Sequence, residues 1–217
     1  MSLQENAYSY LKKEILAHHF DYQKVYSATK IANQLSISRT PFRNALQNLS
    51  QEKYIDIIPN KGFMLHRLTE KEVIEMYEVR SAIESYSAYY LLQNQQQNFA
   101  KDITSKLKKS LLKQAKIIEK DDITFSKEDF NFHRILVSST KNQVFIDLHN
   151  RYSYMIKLLA INAYKNSNRK KEVIAEHQQI YDAIMSKDAT LTLTSVLDHI
   201  NSPKNLDLKT IRHQINI

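Results

Sequence analysis

Apolar residues recur along most of this chain at helical spacing, and the breaks between the runs are short. Leu3, Ala7, Tyr10, Leu11 and Ile15 fall near i, i+4, i+7 positions, which predicts a helix over residues 3–18. A short helix follows around Ala28–Leu35, then a tight turn at Ser36-Ile37-Ser38, then a second helix over Thr40–Gln51. Two short helices joined by a short turn make a helix-turn-helix pattern. The rhythm then becomes strand-like: Tyr54–Ile58 and Phe63–Leu65 flank the turn cluster Pro59-Asn60-Lys61-Gly62. Helix-turn-helix plus hairpin is a winged helix-turn-helix.

Thr69, followed three residues on by Glu72, forms a capping box and opens a helix that runs to about Leu92. The boundary between domains therefore falls near Arg67–Leu68, giving a winged domain over 1–67 and a helical domain over 68–217. Further helical segments are predicted at 98–120, 125–139, 142–164, 168–187, 189–201 and 204–215. The fold class is mainly α: a winged helix-turn-helix followed by an all-α helical bundle.

Composition narrows the picture. The chain has 217 residues, enough for two domains that each bury a core. One glycine and three prolines leave little turn chemistry for a β-rich fold, and they exclude glycine-rich phosphate loops. With no cysteine, disulfides and thiolate metal sites are both out. The N-terminus lacks an apolar signal region and no run is long enough to span a membrane, which points to a soluble, cytoplasmic protein with no membrane partner. The net charge of +8 permits a nucleic-acid partner without demanding one. Its distribution says more: Tyr22 to Gln51 contains no acidic residue, yet carries Lys24, Lys30, Arg39 and Arg43.

Within that window Ser38 can cap the second helix, and Pro41 lies in its first turn, where no backbone donor is lost. Arg39 and Arg43 share one face near the helix's positive end, while Phe42, Ala45 and Leu49 turn toward a core. Leu46 is closer to the arginine face, so the separation is imperfect. A helix N-terminus with two arginines, Ser38 and Thr40 suits phosphate contact and major-groove reading together. The competing reading is a solvated helix with two surface arginines.

A second constellation lies in the helical domain. In EDFNFHRIL, Asp129 and His133 point within about 40° of each other at about 100° per residue, amid Phe125, Phe132, Leu136 and Val137. A carboxylate and an imidazole inside an apolar stripe cost free energy unless a core hydrogen bond, a metal or a ligand satisfies them. His177 points inward on another predicted helix, and His199 lies at the edge of its helix's apolar arc. Three imidazoles and a carboxylate make a site suited to a divalent metal ion such as zinc or nickel. His18, His19, His66, His149 and His213 show no comparable arrangement and are read as surface or structural residues.

The run TKIANQLSISRTPFRNALQNLSQEKYI, with PNKGFMLHRLT after it, resembles the DNA-binding domain of the GntR family of bacterial transcription regulators. LTEKEVIEMYEVRSAIESYSAYYLL is similar to the start of the effector domain, of FCD type, in that family's FadR-like branch. Lys53 stands where the family usually has glycine. The resemblance implies that Ser38, Arg39, Thr40 and Arg43, with Lys30 nearby, meet double-stranded operator DNA, and that Gly62 forms the wing tip. It also implies that Asp129, His133, His177 and His199 hold a metal in the effector domain. Open coordination positions would then take a small carboxylate effector. Arg80 is a candidate to pair with that carboxylate, or equally to form a structural ion pair with a nearby glutamate. The leading expectation is a homodimeric repressor on a pseudo-palindromic site. The rivals are a metal-dependent hydrolase using the Asp/His site, against which no convincing general base is found, and a non-specific DNA-packaging protein.

Overall fold

The computed structural model describes residues 2–17, 19–166 and 168–215, with side chains described through residue 211; His18 and the side chain of His213 lie outside this set. The chain divides into two compact units, Met1–Leu68 and Thr69–Ile217.

The first unit comprises α1 (Leu3–Leu16), α2 (Ala28–Gln34), α3 (Arg39–Gln51), β1 (Ile55–Ile58) and β2 (Gly62–Leu65). Ser2 and Glu5 cap α1 reciprocally, and the helix packs against α3. Phe42, Ala45 and Leu49 of α3 close over Leu11 and Ile15, all nearly inaccessible to solvent. Leu46 is also buried at 4% exposure, so the face separation of α3 is cleaner than the sequence pattern suggested. The strands pair antiparallel, with Ile55 opposite Leu65 and Ile58 opposite Gly62. Pro59 and Asn60 (φ 62°) form the turn, closed by Lys61 N–H to Ile58 C=O at 3.1 Å. Positive φ after proline is the type II pattern.

Gly62 therefore sits at the start of β2 and not at the turn's centre. Its φ is 134°, and a Cβ there would lie 2.0 Å from the Tyr26 carbonyl oxygen. Tyr26 and Phe63 exchange backbone hydrogen bonds beside it, at 2.7 and 3.0 Å. Both the backbone angle and this close approach demand glycine. Lys53 adopts φ 62°, a conformation that explains the family's usual glycine at that position.

The second unit comprises α4 (Glu70–Gln93), α5 (Asn98–Lys116), α6 (Asp122–Ser138), α7 (Gln143–Arg151), α8 (Ser153–Ala163), α9 (Arg169–Ser186), α10 (Ala189–Asn201) and α11 (Lys204–Ile215). Thr69 and Glu72 form the expected capping box at the head of α4, which packs against α6, α7, α9, α10 and α11. The single helix anticipated over 142–164 is instead two, broken at Tyr152 (φ −85°, ψ 3°). α8 is buried almost all round, whereas α7 leaves Val144 exposed. No proline or glycine announces the break in the sequence. Among the described residues no helix is long and apolar enough to cross a membrane.

Candidate DNA-binding face and metal centre

The sequence folds α3 so that its apolar stripe is consumed by the core and its basic positions stay outside. Ser38, Arg39, Thr40 and Arg43 are exposed, as is Lys30 on α2. Ser38 is the N-cap residue of α3, but its side chain makes no capping hydrogen bond, contrary to expectation. Its hydroxyl is left for another acceptor or donor. Arg39 and Arg43 form no ion pair among the described residues, and with Gly62 they line a cleft of about 710 Å³ between α2, α3 and the hairpin. Ser38, Thr40 and Lys30 lie outside that lining. Exposed, unneutralised arginines at a helix N-terminus are what contact with a phosphate backbone requires.

In the second unit, α6, α9 and α10 bring three imidazoles together. The Nε2 atoms of His133, His177 and His199 lie 3.1, 3.2 and 3.1 Å apart, and all three rings are buried. Each Nδ1 faces an oxygen acceptor: Glu84 Oε2 at 2.6 Å for His133, Gln114 Oε1 at 2.9 Å for His177, and Glu176 Oε2 at 2.6 Å for His199. An ionised carboxylate or an amide oxygen only accepts, so each ring carries its proton on Nδ1 and turns a lone pair inward at Nε2. Three converging lone pairs repel unless a cation sits among them. Protonation is a poor substitute, because burial, followed by the neighbouring imidazoles, pushes the His177 pKa well down, and burial also lowers that of His199. Nitrogens at these separations fit a divalent ion about 2.1 Å from each. Asp129 Oδ1 lies 3.4 Å from His177 Nε2 and 3.8 Å from His133 Nε2, while the group whose ligand atoms all lie within 4.8 Å of one another is the three histidines. His133, His177 and His199 are thus brought together, with Asp129 next to two of them.

Arg80 takes the second of its two anticipated roles in this structure. Its Nε donates to Glu84 Oε1 at 2.8 Å, and both side chains are buried. Burial alone would raise the Glu84 pKa, but Arg80 and His133 hold it well below the usual carboxylate range. Glu84 therefore joins α4 to the His133 imidazole of α6. His149, read as surface or structural, is buried on α7, stacked on Phe130 with centroids 4.7 Å apart and Nε2 3.7 Å from Glu84 Oε1. His66 is also buried and pairs with Asp56 at 2.9 Å.

Beside the histidines lies a cavity of about 40 Å³, lined by Arg80, Asp129, His133, Tyr164, Arg169 and His199 among others. The Tyr164 hydroxyl is buried next to Asp129 without a well-formed hydrogen bond. Arg169 clamps Glu176 with two bonds of 2.7 and 3.0 Å. Glu176 is thereby committed to Arg169 and His199, which removes the acid nearest in sequence to His177 as a general base. Sequence reasoning missed Gln114, Tyr164 and Arg169. Only Gln114 left a signal, since it continues the buried Leu107, Leu111 stripe of α5 where an apolar residue is expected.

A DNA-reading face on one unit and an enclosed polar centre in the other is the division of labour of a transcription regulator. Residues 3–65 match the model of the bacterial regulatory proteins of the gntR family, and residues 75–202 match the FCD domain. The chain belongs to the GntR family, with an FCD domain as its second part, and it is a DNA-binding transcription regulator. It is 25% identical over 196 residues to the uncharacterized HTH-type transcriptional regulator YdhC of Bacillus subtilis, covering 89% of this chain and 86% of that one. It is 29% identical over 191 residues to the gluconate operon transcriptional repressor of Bacillus licheniformis, covering 86% and 77%. Two solved structures share the fold. One is a GntR regulator from Rhodococcus (TM-score 0.78, 18% identity, 96% of this chain and 99% of that one). The other is McbR/YncC of E. coli (TM-score 0.76, 16% identity, 97% and 99%). The hydrolase reading finds no support: the family and these relatives are regulators, not enzymes.

Proposed function

We propose that this protein is a cytoplasmic, homodimeric repressor whose winged unit binds a pseudo-palindromic operator and whose helical unit senses a small carboxylate at a bound divalent metal, zinc or nickel. The observation that carries the sensing half is the convergence of three Nε2 lone pairs, each fixed by an acceptor on the opposite ring nitrogen, beside a cavity. Asp129, His133, His177 and His199 hold the metal, which acts as a positive anchor for an anion. Arg80 orients His133 through Glu84 and adds positive potential at the cavity wall, as does Arg169. Ser38, Arg39, Thr40, Arg43 and Lys30 meet phosphates and base edges, with the wing at Gly62 beside them. One recognition helix reads too few base pairs for a specific site, so two copies on paired half-sites are required. Effector and operator then change each other's affinity by the same factor.

The test is selection of bound fragments from a random DNA pool with metal-loaded protein at moderate salt. Enrichment of one short inverted repeat supports the reading. Binding without enrichment, lost steeply as salt rises, refutes operator recognition.

A further inference from the structure

Two of the three inward-facing imidazoles have partners that can only accept. Glu84, paired with Arg80, faces His133, and Glu176, paired with Arg169, faces His199, so both rings keep their proton on Nδ1. The partner of His177 differs in kind. Gln114 on α5 is completely buried and accepts from His177 Nδ1 with Oε1 at 2.9 Å. Its other amide atom, Nε2, is buried and has no hydrogen-bond partner among the described residues. A half-turn of the amide exchanges the two atoms, and here it breaks no side-chain bond except the one to His177. With Gln114 Nε2–H then donating to Nδ1, His177 must carry its own proton on Nε2.

That proton would lie among acceptors. His177 Nε2 is 3.1 Å from His133 Nε2, 3.2 Å from His199 Nε2 and 3.4 Å from Asp129 Oδ1. One N–H directed among them relieves the repulsion of the lone pairs without adding a charge to a buried site. An imidazolium would relieve it too, but only by burying a cation. Gln114 bonds His177 in either arrangement, accepting in one and donating in the other.

We infer that Gln114 is a positioning residue that toggles His177 between metal ligand and hydrogen-bond donor, so that the histidine cluster persists when no cation is bound and the metal comes and goes without the cluster changing its proton count. This rests on the metal-binding reading above. Glutamate at the same place could not act so, because an ionised carboxylate holds its imidazole in one tautomer only.

The experiment is nitrogen NMR of the full chain carrying isotope-labelled histidine, before and after addition of zinc, with His177 assigned by the loss of its signals in His177→Gln. In metal-free protein His177 is expected with its proton on Nε2 and a bare Nδ1. Zinc should move that proton to Nδ1, while His133 and His199 hold theirs on Nδ1 throughout. Gln114→Met, close in volume and unable to bond the ring, gives a second readout. Because the glutamine bonds His177 in both states, its loss should lower zinc affinity, measured by chelator competition, by less than about tenfold. A residue that served only to orient the bound ligand would cost about 10–100-fold. A His177 that carries Nδ1–H or both protons in metal-free protein, or a loss of about tenfold or more in the methionine variant, overturns the inference and leaves the metal site standing. A wild type that binds no zinc sinks the metal reading and this inference with it.

Discussion

Replacing Glu84 with glutamine changes no volume and removes one charge. Glu84 is completely buried and accepts from Arg80 Nε at 2.8 Å and His133 Nδ1 at 2.6 Å. The amide offers one acceptor oxygen where the carboxylate offers two. In Glu84→Gln either Arg80 Nε–H or His133 Nδ1–H must therefore face an N–H, and Arg80 keeps its charge in a buried site without its counter-ion. Breaking a buried pair from one side costs about 3–5 kcal/mol. At about 2–4 °C per kcal/mol for a chain of this size, melting should fall by about 6–20 °C. The assay is a circular-dichroism melt of metal-free protein, which isolates the pair from metal stabilisation. A second readout separates this account from simple loss of packing. With Glu84 gone, His133 is free to carry its proton on Nε2, and zinc affinity measured by chelator competition should fall about 10–100-fold. A melting shift under about 2 °C together with unchanged zinc affinity would refute the argued role of Glu84.

Three further outcomes follow from separate features. Burial holds His149 neutral by lowering its pKa to about 3, so the unfolded chain, near 6.5, binds the proton first and stability falls as pH drops. His149→Phe should remove about 2 kcal/mol of the loss between about pH 7 and pH 5, read by urea unfolding of metal-free protein at the two pH values; an identical loss in both proteins contradicts it. Arg43→Ala should reduce the salt dependence of operator binding by about one counter-ion while zinc content stays unchanged, and loss of both together would speak against independent sites. Lys53→Gly relieves a left-handed residue at φ 62° and should stabilise the winged unit by about 1 kcal/mol; an unchanged or lower melting temperature counts against strain at that position.

Sequence alone determined what depends on neighbours within a few residues. Helical spacing, the Thr69–Glu72 capping box and the turn at Pro59–Gly62 are local signals, and each element appears close to where they place it. The same locality made Asp129 and His133 legible, because i, i+4 positions share a face whatever the tertiary fold; His177 pointed inward by the same reading, while His199 reached only the edge of its helix's apolar arc. Tertiary structure decided which groups meet. That three Nε2 atoms converge, and that Glu84, Gln114 and Glu176 fix their tautomers, depends on five helices, α4, α5, α6, α9 and α10, docking at one level of the bundle. Arg80 could have faced a ligand or a glutamate, and only packing selected Glu84. Tyr77 and Asp207 meet across 130 residues of chain, a separation over which no periodicity carries information. The break at Tyr152 escaped the sequence because both halves are good helices; only the packed bundle shows α8 buried over most of its length and α7 leaving residues such as Val144 exposed.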